Sequence, residues 1–501
     1  MAELISPPEA LPALEAWWGS LRQGPTVLPP AVVHRCSESL GSRDADVVIA
    51  GGTLGILLGA ALAQRGWRVI LIERGSLRGR EQEWNTSRQE LQVLLELELL
   101  TPAEWEAVQV THYPRGRIGF GEGPTWWVEG VLNVGVDPVS LLEFLKQHFL
   151  AWGGQVWEQT GFLGATVHPD GICIQTTTGQ LSAQLLLDAM GHRSPIAAQA
   201  RQGQPPDSVC LVVGSCAQGL PEQPTGDLFY SFTPAQEGYQ PFWEAFPARD
   251  GRTTYLFTYC DRDPRRPSLE KLWQDYCRLL PAYQGAELAQ IRWVRKLCGV
   301  FPAYRRSPLQ LPWDRLLAVG DSSGSQSPLS FGGFGAMLRH LDRLQQGIHE
   351  ALVERQLEQA ALALLQPYQP NLAVTWLFQK AMIPPLGEKN WDPNSINRLL
   401  SRVFAAMVAA GPQVVRPFLQ DVVQFGGLAQ ALWGVMRQDP ALVAALLPRL
   451  GLSELVAWAG HFSTLGLYEL LQRLADRLEG APQDYFWNRR REAWRYGCGR
   501  D

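Results

Sequence analysis

The 501-residue sequence predicts an α/β fold, in which a dinucleotide-binding domain with a parallel sheet carries an antiparallel β substrate domain and a C-terminal helical region. Three observations support this fold class. A strand, a glycine turn, a helix and a second strand follow one another between residues 46 and 73. Apolar residues alternate with period two between 208 and 300, and helical periodicity dominates from 352 to about 479.

The glycine turn near residue 50 is the strongest motif. Apolar residues 47–50 predict a buried parallel strand, a helix follows to about residue 65, and residues 68–72 form the second strand. Such a unit points a helix N-terminus at a pyrophosphate, and an acidic residue about 20 positions on accepts the ribose hydroxyls. Ala50 replaces the usual first glycine and is small enough to leave the turn possible. The residues predicted to bind the dinucleotide here are Gly51, Gly52, Thr53, Leu54, Gly55, Glu73 and Arg74.

Two further segments indicate that the dinucleotide is FAD. Residues 315–324 form an apolar strand that ends in Gly-Asp, and a glycine cluster (331–335) then leads into a helix over 336–352. In flavoproteins of the hydroxylase class, the aspartate of such a Gly-Asp pair binds the ribityl chain of FAD. Residues 185–195 resemble a second motif of that class, the D-x-x-G-x-x-S strand and turn. The backbone N–H groups and the positive dipole end at the start of the helix over 336–352 would favour a flavin that becomes anionic when reduced. The predicted FAD contacts here are Gly191, Gly320, Asp321, Gly332 and Gly333.

Composition excludes several classes of function. The net charge of −5 gives no electrostatic footprint for nucleic acid. Eight cysteines show no C-x-x-C and no grouping with histidine, so we expect reduced thiols and no metal site. The N-terminus lacks a basic, apolar signal pattern, and no apolar run is long enough to span a bilayer. We therefore expect a soluble or peripheral protein.

The order of these patterns predicts the domain organisation. The FAD-binding domain is built from three parts of the chain, and the substrate domain from two. The helical region has thin polar faces, so it either packs on the FAD domain or contacts a bilayer or a long hydrophobic ligand. The expected boundaries are 1–43 for an N-terminal extension, 44–108, 133–207 and 306–351 for the FAD domain, 109–132 and 208–305 for the substrate domain, and 352–501 for the helical region.

Between about residues 44 and 499 the chain resembles the CruA/CruP group of FAD-containing lycopene cyclases, with CruP as the nearest branch. The resemblance rests on GGTLGI (51–56), EWNTSR (83–88), FWEAFP (242–247), QSPLSFGGFG (326–335), RPFLQD (416–421) and EAWRYG (492–497). It implies carotenoid metabolism in a cyanobacterium or plastid, and a peripheral position on the cytoplasmic side of a thylakoid or plasma membrane. The implied ligand is lycopene or a related long apolar pigment.

Cyclisation of a lycopene end group needs a neutral carboxylic acid in a dry pocket and an anion that stabilises the resulting carbocation. Glu244 is the first candidate, because Phe242 and Phe246 lie on the same face of its strand. The alternative is that Glu244 pairs with Arg249 or Arg252 at the strand end. Glu122 and Glu129, in a loop, are lesser candidates for the acid.

Other residues and other functions stay open at this stage. Arg88 opens a predicted helix over 89–100 and either contacts the flavin or lies on the surface; His192 is expected to be a loop residue rather than an acid–base group. CruP is a paralog of the cyclases, so the resemblance leaves two alternatives to cyclisation. One is a flavin-dependent oxidoreductase that acts on a carotenoid or its epoxide, and the other is a carotenoid- or chlorophyll-binding protein. No second glycine fingerprint marks a nicotinamide site, and the electron donor is either ferredoxin or NAD(P)H.

Overall fold

The structure is a computed structural model that describes residues 5–24, 28–388, 390–478 and 484–500. It contains a parallel sheet and a long, mostly antiparallel sheet, two smaller sheets, and a helical C-terminal region. The predicted α/β fold class is confirmed. The prediction that 89–100 forms one helix is wrong: two single-turn helices, Arg88–Leu91 and Val93–Glu96, replace it, and Leu91, Leu94 and Leu99 are all buried.

The parallel sheet has five strands, and both of its faces are covered. The predicted first strand, Val47–Ala50, is central and fully buried. Helices Gly55–Gln64, Pro138–Ala151 and Gly333–Val353 pack on one face, and a four-stranded sheet covers the other. Continuous apolar strands are expected where both faces are buried. The strand order is Leu316–Ala318, Leu185–Asp188, Val47–Ala50, Val69–Ile72, Gln155–Trp157.

The second large sheet has seven strands, and all neighbouring pairs but one are antiparallel. It is called the substrate sheet here because it lies in the predicted substrate domain. The exception is Gly226–Ser231, which pairs parallel with Gly116–Phe120 because residues 116–128 join the sheet from a distant part of the chain. One face packs on helices Leu11–Gln23 and Leu269–Gln284. The strand order is Arg292–Ala303, Ser208–Gln218, Gly251–Cys260, Phe242–Ala248, Gly226–Ser231, Gly116–Phe120, Thr125–Val128.

Two small sheets complete the β structure. The four-stranded sheet that covers the parallel sheet has the order Val33–Arg35, Phe162–Val167, Ile172–Thr176, Gly179–Ala183. The three-stranded sheet has the order Trp84–Thr86, Val134–Val136, Gln109–His112.

The C-terminal region supplies helices that pack on the other face of the substrate sheet, opposite helices Leu11–Gln23 and Leu269–Gln284. Among the described residues, no single helix is long and apolar enough to cross a membrane, although one pair bent by 108°, Pro440–Leu450 with Leu452–Ala475, passes on length and composition. The remaining helices are Pro102–Ala107, Pro195–Ala200, Gln359–Leu362, Pro370–Ala373, Thr375–Ala381, Ser395–Ala410, Pro412–Leu419, Phe425–Gln438 and Tyr485–Gly497.

Candidate active site

The glycines of the first turn are required by close packing. Gly51 has φ = 100°, and a Cβ atom there would lie 2.4 Å from the carbonyl oxygen of Ala189. A Cβ atom on Gly55 would lie 2.8 Å from a methyl carbon of Ile49. These contacts bring the helix Gly55–Gln64 close to its strand and set the turn against the neighbouring strand end.

The Glu73 carboxylate stabilises the same glycine turn through hydrogen bonds. It accepts hydrogen bonds from the backbone N–H groups of Gly52 at 2.8 Å and Gly75 at 3.1 Å. A Cβ atom on Gly52 would lie 2.5 Å from Leu77 and 3.2 Å from Leu71. Gly52 is therefore needed by the packing beneath the turn.

A cavity of about 520 Å³ lies between the glycine turn and the substrate sheet. The start of helix Gly333–Val353 borders it, and so does the end of helix Pro412–Leu419. The structure brings together at this cavity the predicted FAD residues Thr53, Leu54, Gly191, Gly320, Asp321, Gly332 and Gly333, together with the predicted acid Glu244.

Two helix N-termini suit this cavity to an anionic group. Neither helix Gly55–Gln64 nor helix Gly333–Val353 has a side-chain cap within the described chain. Their first N–H groups and the positive ends of their dipoles can therefore meet phosphate or a reduced flavin ring. Gly191 adds open backbone, with φ = 73° and no described atom within 4 Å of the position that a Cβ atom would take. These donors and this cradle fit a dinucleotide.

The D-x-x-G-x-x-S turn is held by its own first and last residues. Ser194 Oγ donates to Asp188 Oδ2 at 2.5 Å, and the N–H of Met190 donates to Asp188 Oδ1 at 3.1 Å. Burial raises the pKa of the Asp188 carboxyl from 3.8 to about 6. His192 lies in this turn, with Nε2 3.6 Å from Asp321 Oδ2.

Glu244 lies on the strand Phe242–Ala248, and its side chain lines the cavity. Phe242 and Phe246, two positions before and after Glu244, pack together in the apolar cluster on the cavity side of the sheet. Trp243 and Ala245 pack in another cluster on the opposite face. Burial raises the pKa of the Glu244 carboxyl from 4.5 to about 8. A carboxyl group shifted in this direction keeps its proton to higher pH than an exposed glutamate does, which is what a proton donor needs.

The alternative pairing of Glu244 with a nearby arginine is wrong. Arg249 pairs with Asp137, at 3.2 Å between Nη1 and Oδ2. Arg252 donates to Gln284 Oε1 at 3.0 Å and to the carbonyl oxygens of Gln223 and Thr225. Within the described part of the chain, no salt bridge or hydrogen bond engages the Glu244 carboxyl.

A narrower apolar pocket of about 60 Å³ adjoins the cavity, and Glu244 lines both. The pocket lies between the substrate sheet and the C-terminal helices. Its apolar walls are Leu228, Phe229, Phe257, Tyr259, Phe378, Met382, Leu400, Val403, Phe404 and Phe418.

Several predicted residues lie elsewhere. Glu122 lies in the turn between strands Gly116–Phe120 and Thr125–Val128, and Glu129 follows the second of these. Both are exposed, and this placement argues against either as the acid. Arg88 is exposed, pairs with Glu106 and stacks on Trp105, so it does not line the cavity. Arg74 is also exposed and away from the cavity lining.

A group of charged residues centred on Arg339 also lines the cavity, and it was not identified from the sequence. Arg339 Nη1 donates to Glu90 Oε1 at 2.9 Å and to the carbonyl oxygen of Gln420 at 2.6 Å, and Nη2 lies 3.9 Å from Asp421 Oδ2. All four residues line the cavity. The motif RPFLQD contains Asp421, but an aspartate just past a helix end is usually solvated, so the motif alone gave no reason to select it.

All eight cysteines are free thiols. Over the described ranges, no group of three or more His, Cys, Asp or Glu side chains could hold a metal ion.

No protein-family model and no curated protein sequence matches the chain. Solved structures match its fold. A geranylgeranyl bacteriochlorophyll reductase-like protein from Thermoplasma acidophilum is similar over 83% of this chain and 100% of its own, with 14% identity and a TM-score of 0.54. Halogenase PltM, solved with phloroglucinol and FAD, is similar over 91% of this chain and 99% of its own, with 13% identity and a TM-score of 0.54.

A ternary complex of aklavinone-11 hydroxylase with FAD and aklavinone is similar over 71% of this chain and 72% of that chain, with 17% identity and a TM-score of 0.52. The fold is that of FAD-binding hydroxylase and reductase-type enzymes. At these identities the likeness concerns the fold, so the activity of this chain has to be argued from its own cavity.

Proposed function

We propose that this chain is an FAD-dependent enzyme that acts on a long apolar polyene of the carotenoid type. The FAD assignment is supported by the cradle of Thr53, Leu54, Gly191 and Gly332, by Asp321 beside them, and by the FAD complexes of structures with the same fold. Reduced FAD held by these residues would supply negative charge at the cavity. The uncapped start of helix Gly333–Val353 favours that charge.

The reaction we propose is acid-assisted cyclisation of a lycopene-like end group. One observation carries it: Glu244, whose pKa burial raises, lines both the cofactor cavity and the apolar pocket. Glu244 gives its proton to the terminal double bond, the resulting carbocation closes the ring, and a second proton is lost. The reaction is therefore a net isomerisation, and it needs the acid to be neutral before each turnover.

The apolar pocket performs two tasks in this proposal. Its apolar walls suit the chemistry of a hydrocarbon end group, and a bound chain there would exclude the water that traps a carbocation. The faces of Phe229, Phe257 and Phe404 also carry negative quadrupole potential, which attracts a cation.

A flavin-dependent oxidoreductase that acts on carotenoids is the second candidate. The solved structures with this fold support it, because they are those of a reductase-like protein, a halogenase and a hydroxylase. Both candidates use the same cavity. They differ in the product, because cyclisation leaves the oxidation state of the polyene unchanged.

The deciding experiment is product analysis after expression in a lycopene-accumulating host. Wild-type protein should convert linear lycopene into a ringed isomer of equal mass, and Glu244→Gln should not. A product that differs in mass by hydrogen or oxygen would favour the oxidoreductase. Unchanged lycopene that co-purifies with the protein would favour a carotenoid-binding role.

We also propose that the C-terminal helices dock this protein on a membrane surface, where carotenoids reside. The support is a set of large apolar side chains on residues 425–478 that remain exposed in the described structure. This set, named the apolar face, consists of Trp433, Met436, Leu447, Leu452, Val456, Leu467, Leu470, Leu474 and Leu478. Such exposure is unusual for a surface that meets only water.

A further inference from the structure

Asp421 is a second carboxyl group at the apolar pocket, and it comes from the C-terminal helical region. It follows helix Pro412–Leu419 and, like Glu244, lines both the cavity and the pocket. Its residue is only 6% exposed. The helical region therefore contributes a polar group to a site whose proposed acid stands on the substrate sheet.

The backbone at Asp421 is unusual. Its φ is 61°, in the left-handed region, which aspartate tolerates better than most residues with a side chain but which glycine occupies at lower cost. Phe331, which lines the cavity just before the long helix begins, has φ = 52°. Strained residues of this kind cluster at functional sites.

The charges around Asp421 favour its ionised form more than those around Glu244 do. Burial raises the pKa of Asp421 above its ordinary value, and the Arg339 guanidinium and the hydroxyls of Ser330 and Ser327 offset part of this rise. Glu90 contributes a second carboxylate on Arg339, and the Tyr259 hydroxyl lies on the sheet side. For Glu244, burial is the dominant influence and it acts to raise the pKa. Two carboxyls in such different surroundings are suited to opposite proton-transfer roles.

We infer that Asp421 is a catalytic carboxylate, which faces the cationic intermediate and accepts the proton that this intermediate loses. The inference rests on the proposed cyclisation. Glu244 gives its proton to one carbon of the terminal double bond, and ring closure forms a carbon–carbon bond and leaves a cation. Asp421 then takes a proton from the neighbouring carbon, and the electron pair of that C–H bond forms the new ring double bond. Proton return from Asp421 to Glu244, through solvent, completes a cycle without oxidation or reduction.

Turnover as a function of pH tests this role. With wild-type protein the rate should rise with pH as Asp421 ionises and fall above about 8 as Glu244 loses its proton. Asp421→Asn should lower the rate by about 10²–10⁴-fold. Ser330→Ala removes the hydroxyl that donates to Asp421 Oδ2, so it should move the rising limb to higher pH and leave the falling limb in place. A wild-type rate and profile in both variants would overturn the inference.

A binding experiment tests the same residue without turnover. The probe is dodecyldimethylammonium, a cation on an apolar chain, compared with neutral dodecan-1-ol, both below micellar concentration and followed by protein fluorescence. Wild-type protein should prefer the cation by about tenfold or more, the size expected for a charge-assisted contact. Asp421→Asn should abolish the preference, and Asp421→Glu should restore it.

The matched control is Glu492→Gln, which removes a half-buried carboxylate of the same helical region that pairs with Arg489 at 2.9 Å, away from the cavity. It should keep the cation preference. If wild-type protein forms no cyclised product but shows the preference that Asp421→Asn loses, the proposed cyclisation fails and Asp421 still faces cationic ligands. Equal preference in wild-type protein and Asp421→Asn overturns the inference, whatever the product analysis gives.

Discussion

The start of helix Gly333–Val353 lies directly against Asp321: a Cβ atom on Gly333 would be 2.3 Å from Asp321 Oδ1. The two residues belong to separate motifs, the Gly-Asp strand end and the glycine cluster. Their contact fixes the carboxylate beside the helix start, where the proposed FAD site needs both groups.

Gly333→Ala should therefore weaken FAD binding. The added methyl group displaces the Asp321 carboxylate from its place beside the helix start, so the two groups no longer act on one ligand together. The measurement is the FAD content and the dissociation constant of the purified protein. Gly460→Ala is the matched control, because a Cβ atom there meets no described atom within 4 Å. Wild-type affinity in Gly333→Ala would argue against this position for the cofactor.

Glu244→Gln should retain FAD and lose turnover. The amide keeps the shape of the side chain but has no acidic proton, so we expect a loss of about 10²–10⁴-fold. The flavin absorption spectrum checks the first expectation and product formation checks the second. Glu122→Gln, an exposed residue outside the cavity, serves as the control. A flavin-replete Gln variant with wild-type turnover would remove Glu244 from the mechanism.

The stability of the fold should also report the Glu244 proton. Its pKa is about 8 when folded and near 4.5 when unfolded, so between these values the folded state binds more protons than the unfolded state. Stability from this group is complete below about pH 4.5 and is lost as pH rises through about 8.

Glu244→Gln removes this dependence. The free energy of unfolding of the variant, relative to wild type, should therefore increase from about pH 5 to about pH 8 and then level off. Urea unfolding across this range measures the difference. Asp188, whose pKa is raised in the same direction, is present in both proteins and cancels. A difference that does not change with pH would show that the Glu244 pKa is not raised.

Membrane docking through the apolar face should survive high salt. The contact is apolar, so salt should release little protein from lipid vesicles and mild detergent much more. Leu452→Glu combined with Val456→Glu should abolish vesicle flotation, because these side chains are 79% and 64% exposed. Leu163→Glu is the control, since Leu163 is 56% exposed on the four-stranded sheet. Wild-type protein that never floats with vesicles would contradict the proposal.

Local sequence determined the FAD-type domain. The strand Val47–Ala50, the close packing at Gly51 and Gly55 and the strand end at Asp188 all lie where residue spacing predicts them. These features depend on neighbours within one βαβ unit or one turn, where period and glycine placement leave few alternatives. Period-two alternation likewise placed Glu244 on the face that it shares with Phe242 and Phe246.

Tertiary structure alone decided the rest of the site. Asp421 and Glu90 meet Arg339 although they stand 82 and 249 positions from it along the chain, and no local pattern links residues at such separations. Glu122 and Glu244 look alike as glutamates near aromatic residues, but only the fold places one on the surface and the other at the cavity. Burial sets the pKa of a carboxyl group, and burial is a property of the packed molecule. The sequence alone determined the cofactor-binding frame, and packing between distant segments decided which acids can transfer a proton.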